Sequence, residues 1–292
     1  MKKALILTIK GFIMGLANII PGVSGGTLAL TLGIYENFIQ AISHFFSKVK
    51  ENIKFLLPIG IGILLAIVSM SRVIDYSYAH FPIPTTMFFM GLVIGGIPLL
   101  LKKVKGKDEV KKVSSYVIFL ITFALVLVLA FSEQLFDISL KANLSNITVT
   151  GYIALFLVGV VAAATMVIPG VSGSLVLMLL GYYYPILKVI KELTKFKDLS
   201  HNLGVAFIFG IGVLIGIVAI SKLIEFLFKK FETKTYFGVL GFIFASVLAI
   251  PIATINSVDN LVFSLIQILI GIVVLAVGVI SGYKLGDTKW VL

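Results

Sequence analysis

Residues 20–26 read Ile20-Pro21-Gly22-Val23-Ser24-Gly25-Gly26, and residues 168–174 read Ile168-Pro169-Gly170-Val171-Ser172-Gly173-Ser174. Each heptapeptide interrupts a long apolar run with the residues that end helices most effectively. Proline lacks an N–H and pushes the residue before it out of the helical region. Glycine lets a second backbone or a ligand approach closely. Ser24 is placed to N-cap a new helix running through Thr27 to Phe38. Each copy therefore reads as helix, break, helix.

Composition says where such a break sits. The chain has 292 residues, 59% hydrophobic and only 13% charged, with a mean hydropathy of +1.13. Soluble domains are roughly half apolar and about a quarter charged, so an integral membrane protein is expected. With no Cys, disulfides, thiolate metal sites and cysteine nucleophiles are excluded, and three scattered His (His44, His80, His201) offer no metal set. The net charge of +11 comes mostly from Lys in short stretches between apolar runs, the pattern of membrane topology and not of nucleic-acid binding. Met1-Lys2-Lys3 and the apolar residues after it imitate a signal peptide, but Lys10 interrupts them and no clean cleavage site follows.

Apolar segments run over 4–20, 22–42, 55–74, 84–101, 114–133, 149–168, 171–190, 203–225, 235–255 and 261–283. Most approach the roughly 20 residues needed to cross a bilayer core. In the first, Lys10 leaves too short an uninterrupted stretch, so this segment is expected to enter and turn back. Residues 20–42 match residues 168–190 at ten of 23 positions, including Leu32/Leu180, Gly33/Gly181 and Tyr35/Tyr183. Further along, a shift of 150 pairs Arg72 with Lys222, Asp75 with Glu225 and Gly91 with Gly241. The expected fold is an all-α membrane domain of two repeats, 1–133 and 149–292, joined by a linker at 134–148. Each repeat holds a broken helix pair and three transmembrane helices; re-entrant pairs are expected, although residues 149–168 are long enough to cross, so length leaves the second pair open.

An odd number of net crossings inverts the second repeat. With the N-terminus cytoplasmic, Lys102 to Lys112, the Lys229, Lys230 and Lys234 cluster, and the C-terminus all fall inside. Lys191, Lys195 and Lys197 fall outside, against the rule, diluted by Glu192 and Asp198.

In inverted-repeat transporters, broken helices near the midplane hold the substrate, with half-helix N-termini aimed at anionic groups. The candidate anion site is therefore Ser24, Gly25, Gly26, Thr27, Ser172, Gly173 and Ser174, with Pro21, Gly22, Pro169 and Gly170 making the breaks. The alternative is that Pro-Gly kinks and small residues serve helix packing alone. Arg72 and Lys222 would supply a cation toward each face, although Asp75 and Glu225, three residues on, could pair with them instead. Glu36 is a candidate to carry a coupling proton. No Ser-His-Asp set, phosphate loop or paired intramembrane carboxylate points to an enzyme, and no cofactor is expected.

The stretch Gly15-Leu-Ala-Asn-Ile-Ile-Pro-Gly-Val-Ser-Gly-Gly-Thr27, followed by Leu32-Gly-Ile-Tyr-Glu36 and the second Ile168-Pro-Gly-Val-Ser-Gly173, resembles the signature of the PopT polyprenyl-phosphate transporter family. The resemblance spans essentially the whole chain. It implies that undecaprenyl phosphate, the lipid carrier of bacterial cell-wall precursors, is returned from the outer to the inner leaflet of the cytoplasmic membrane. Coupling to protons or sodium stays open. A small soluble anion as substrate, or a non-transporting scaffold, are the alternatives. Ser174 departs from the Gly-Gly of the first copy.

Overall fold

In the computed structural model the described residues are 2–19, 24–135, 142–144, 147–171, 173–257 and 264–286. They form α1 (Lys2–Ile19), α2 (Gly25–Thr31), α3 (Tyr35–Ser43), α4 (Val49–His80), α5 (Pro82–Val104) and α6 (Val113–Leu135). Then follow α7 (Val149–Val167), α8 (Gly173–Leu179), α9 (Tyr183–Thr194), α10 (Leu199–Lys230), α11 (Glu232–Ser257) and α12 (Leu265–Gly286). The protein is all-α, and seven of these helices, α4 to α7 and α10 to α12, are long and apolar enough to cross a membrane. Leu64, Val68, Phe207, Leu214, Ile266 and Val273 are exposed on them, as side chains facing lipid are.

The helices of the second half repeat those of the first. Both α2 and α8 have 7 residues, and both α4 and α10 have 32. The apolar run after each break is not one helix but two. The new helix expected to run to Phe38 stops at Thr31, because Gly33 takes φ +68° and reverses the chain. Ile34 N–H bonds to the Ala29 carbonyl at 3.0 Å and Gly33 N–H to that of Leu30 at 2.9 Å. Gly181, at φ +76°, ends α8 with the same pair of bonds, Tyr182 to Leu177 and Gly181 to Met178. Only the left-handed region closes this motif, and glycine enters it without steric cost.

Glycines also set how the long helices meet. Gly11 lies against Ile59, and Gly15 against Ile63 and Ala66, so α1 and α4 run parallel in close contact. Gly159 meets Phe209 and Val213, and Gly216 meets Val160 and Ala163, which makes α7 and α10 parallel too. Without a hydrophobic drive between helices in lipid, small residues that let backbones approach are what hold such pairs. Since α4 sets out from the same end as α1, the chain between them returns to its starting side. In this register Ile19 stops level with α4 residues near 69, leaving about 15 Å of α4 beyond it at roughly 1.5 Å per residue. The end of α1 thus lies within the depth of the long helices, and the α7–α10 register places the end of α7 likewise.

Between the halves, Gly91 and Gly95 pack on Gly278 and Gly282, so α5 and α12 run parallel. Tyr116 packs on Phe237 and Phe119 on Phe244, so α6 and α11 do the same. That pairing is consistent with two repeats of opposite orientation.

Charged and polar contacts gather at the two ends. At one, Lys107 pairs with Glu232 at 2.6 Å, Lys103 with Glu36 at 3.3 Å, and Glu225 with Lys229 at 2.6 Å. At the other, His201 Nε2 donates to the Leu144 carbonyl at 2.6 Å, and Gln267 Nε2 to that of His80 at 3.2 Å. The basic residues 102–112, the α10–α11 turn and the end of α12 therefore share one end, as their charges suggested.

Candidate functional site

The two motifs, distant in sequence, meet at the centre. Ser24 is buried and extended (φ −98°, ψ 133°) at the N-cap of α2, though its side chain makes no capping hydrogen bond. Every residue of α2 is buried. Its first N–H groups, those of Gly25, Gly26 and Thr27, have no acceptor within the helix. Thr27 Oγ1 accepts the Gly170 N–H at 2.7 Å, and this bond ties the first motif to the second. Gly26 sits against the carbonyls at the end of α7: a Cβ there would lie 3.0 Å from the Val167 oxygen and 3.2 Å from that of Met166.

Beside this contact, Tyr35 Oη donates to the Val167 carbonyl at 3.0 Å. Ile168, next along, is extended (φ −69°, ψ 123°), as a residue before proline should be. Gly170 has φ +80°, and a Cβ on it would stand 2.5 Å from the Phe242 carbonyl oxygen. Conformation and space both demand glycine here. Gly173 begins α8, close to the buried Thr165, whose hydroxyl bonds to the Ala162 carbonyl at 2.7 Å.

The remaining sequence candidates divide. Pro21, Gly22 and Ser172 lie outside the described residues, as does the side chain of Ser174; Pro169 is buried beside Gly170. Arg72 and Lys222 are exposed on α4 and α10. Among the described residues neither has a hydrogen bond or ion pair to the motifs. The pairing of Lys222 with Glu225 is not what forms. Glu225 instead binds Lys229, His44 Nε2 at 2.9 Å and the Ser43 hydroxyl, which ties α3 to α10. Glu36 accepts a hydrogen bond from Tyr236 Oη and pairs with Lys103 at the same end.

Two residues escaped the sequence reading. Lys10 is buried (2% exposed), and its Nζ donates to the Leu32 carbonyl at 2.6 Å, at the C-terminus of α2. A cation there meets the negative end of the helix. The sequence signal was its place in an apolar run, which marked it only as an interruption. Tyr35, shared by both copies, was the other readable signal.

Ser24, Thr27, Thr31 and Thr165 bury their hydroxyls along α2 and at the end of α7, and among the described residues no hydrogen bond joins them to a carboxylate. This is a multi-pass membrane protein with two broken helices meeting at its centre. The family model described as VCA0040-like, undecaprenyl phosphate translocase-like, matches residues 14–261, and the chain belongs to that family of polyprenyl-phosphate transporters. It is similar to the polyprenyl-phosphate transporter of Staphylococcus aureus (strain NCTC 8325 / PS 47), 33% identical over 274 residues, covering 91% of this chain and 93% of the relative. It is also similar to the polyprenyl-phosphate transporter of Vibrio cholerae serotype O1 (strain ATCC 39315 / El Tor Inaba N16961), 28% identical over 242 residues, covering 78% and 71%. No solved structure matches the chain.

Proposed function

We propose that this protein carries a polyprenyl phosphate, undecaprenyl phosphate in particular, from the outer to the inner leaflet of a bacterial cytoplasmic membrane. The observation that carries the reading is the meeting of the two motifs among the long apolar helices, through Thr27 and Gly170. The phosphate binds between the motifs, on the free N–H groups of α2 and α8 and the hydroxyls of Ser24, Thr27, Ser172 and Ser174. A phosphate in this setting gains charge-assisted hydrogen bonds without needing a fixed cation. The isoprenoid tail leads out to the lipid through a lateral opening.

The chain is one domain of two repeats, 1–133 and 149–292, inverted about the linker, with both termini cytoplasmic. Parallel packing of α5 with α12 and of α6 with α11 supports the inversion. Rocking of one repeat against the other exposes the phosphate to each leaflet in turn. Arg72 and Lys222, exposed on equivalent helices, draw the headgroup from the two sides. Glu36 is the candidate for a coupling proton, and its tie to Tyr236 and Lys103 links any change in its charge to α11 and α5. No covalent step is required.

The test is binding of undecaprenyl phosphate to the purified protein by native mass spectrometry. Saturable binding that is lost in a Ser24→Ala, Ser172→Ala double variant and weakened in Arg72→Ala is expected. Binding indifferent to all three changes would return the motifs to a packing role.

A further inference from the structure

An apolar cavity of about 510 Å³ lies between α6, α10 and α11. It falls within the roughly 300–1,000 Å³ of ligand sites. Leu223 and Leu227 form one wall, four residues apart on the same face of α10, and Ile118 on α6 faces Gly238 on α11. The inner end is Ile168 and Pro169 of the second motif, so the cavity ends one residue from the Gly170 N–H that Thr27 holds. The outer end is the α10–α11 turn at Phe231.

That mouth is cationic. Lys230 and Lys234 place their ammonium groups 5.5 and 5.8 Å from the centre of the Phe231 ring. Unlike neighbouring Lys229, neither is in an ion pair among the described residues. Apolar walls with uncompensated cations at the rim fit an amphiphile with an anionic head.

The counterpart in the first half is different. By the shift of 150, Gly238 corresponds to Phe88 and Lys234 to Pro84. Phe88 is partly buried and packed on the core, so an aromatic ring stands where the second repeat leaves space. The mouth of this cavity lies at the end that carries the basic residues 102–112, where Lys107 pairs with Glu232 beside Phe231.

Resting on the transport reading above, we propose that this cavity is the lateral portal through which the isoprenoid tail of a polyprenyl phosphate moves, with Lys234 meeting the phosphate at the mouth. Through it the lipid exchanges with the leaflet at the basic end. A Cβ on Gly238 would lie 3.3 Å from Ile118 and 3.6 Å from Thr122, so a large side chain there must grow into the space the tail uses.

The test uses the full chain in liposomes of phosphatidylethanolamine and phosphatidylglycerol doped with a diazirine-bearing polyprenyl phosphate. After irradiation, the label is located by peptide mass spectrometry, and transbilayer movement is measured in parallel. The expected result is label on residues 220–242, suppressed by unlabelled polyprenyl phosphate but not by extra phosphatidylglycerol. Gly238→Trp and Lys234→Gln each lower it roughly tenfold. Lys234→Gln keeps the test decisive if Gly238→Trp fails to fold. Equal suppression by phosphatidylglycerol would reduce the cavity to an ordinary bilayer-lipid groove and overturn the assignment. Transport at the wild-type rate in Gly238→Trp would also overturn the portal, while leaving the transport reading intact. Specific labelling in a wild-type protein that moves no polyprenyl phosphate would do the reverse.

Discussion

Thr27 and Gly170 are joined by a hydrogen bond of 2.7 Å across 143 residues of sequence, and through it the two copies of one motif hold each other in place. Thr27→Val keeps the shape but leaves the buried Gly170 N–H without its acceptor, at a cost of about 1–3 kcal/mol. Thr27→Ser keeps the acceptor. The expected order of thermal stability in detergent, and of transport, is wild type, then Thr27→Ser, then Thr27→Val. Equal behaviour of the two variants would remove the hydroxyl from the account.

Gly170→Ala meets two obstacles, the positive φ and the Phe242 carbonyl 2.5 Å from the new Cβ. The left-handed conformation alone costs roughly 1–2 kcal/mol for a residue with a Cβ. Gly60→Ala is the contrast, since nothing lies within 4 Å of a Cβ there. Unfolding curves should show a clear loss for the first and none for the second.

Lys10→Met removes a buried cation and its bond to the Leu32 carbonyl. Burying a lone charge is itself costly, so the melting temperature is expected to move little. Transport should fall by roughly tenfold, because a charge kept inside a membrane protein marks function. A large drop in stability with unchanged transport per folded molecule would make Lys10 purely structural.

Glu225→Gln weakens the tie from α10 to His44 and Ser43 on and beside α3. A charge-assisted hydrogen bond contributes about 1.5–3 kcal/mol, and the Glu225 side chain is only 10% exposed. The destabilisation should therefore persist in high salt, which screens exposed pairs far more. Denaturation at two ionic strengths checks this.

The inverted topology predicts labelling from opposite sides. The chain has no native Cys, so single substitutions report cleanly. Lys197→Cys should react with an impermeant maleimide in intact cells, and Lys107→Cys only after permeabilisation. The same sidedness for both would contradict the inversion.

The breaks were legible because Pro and Gly act locally, and the duplication because it repeats a long motif. The second stop, at Gly33 and Gly181, was also written in the sequence, as the shared Leu-Gly-x-Tyr of both copies, yet an unbroken apolar run hid it. Partners across helices were not legible. Lys222 lies three residues before Glu225, but Glu225 turns to Lys229 one turn on and to His44 on the segment after α3. The bond from Thr27 to Gly170 and the partner of Lys10 depend on how α2 is wedged among α1, α5 and α7, which no local pattern encodes.

The most direct measurement is the transbilayer movement of undecaprenyl phosphate in proteoliposomes, comparing wild type with Thr27→Val and with the Ser24→Ala, Ser172→Ala double variant. Movement by the wild type is expected, and its loss in both variants, with the variant proteins still folded. Movement that survives both changes, or a wild type that leaves the lipid where it began, would contradict it.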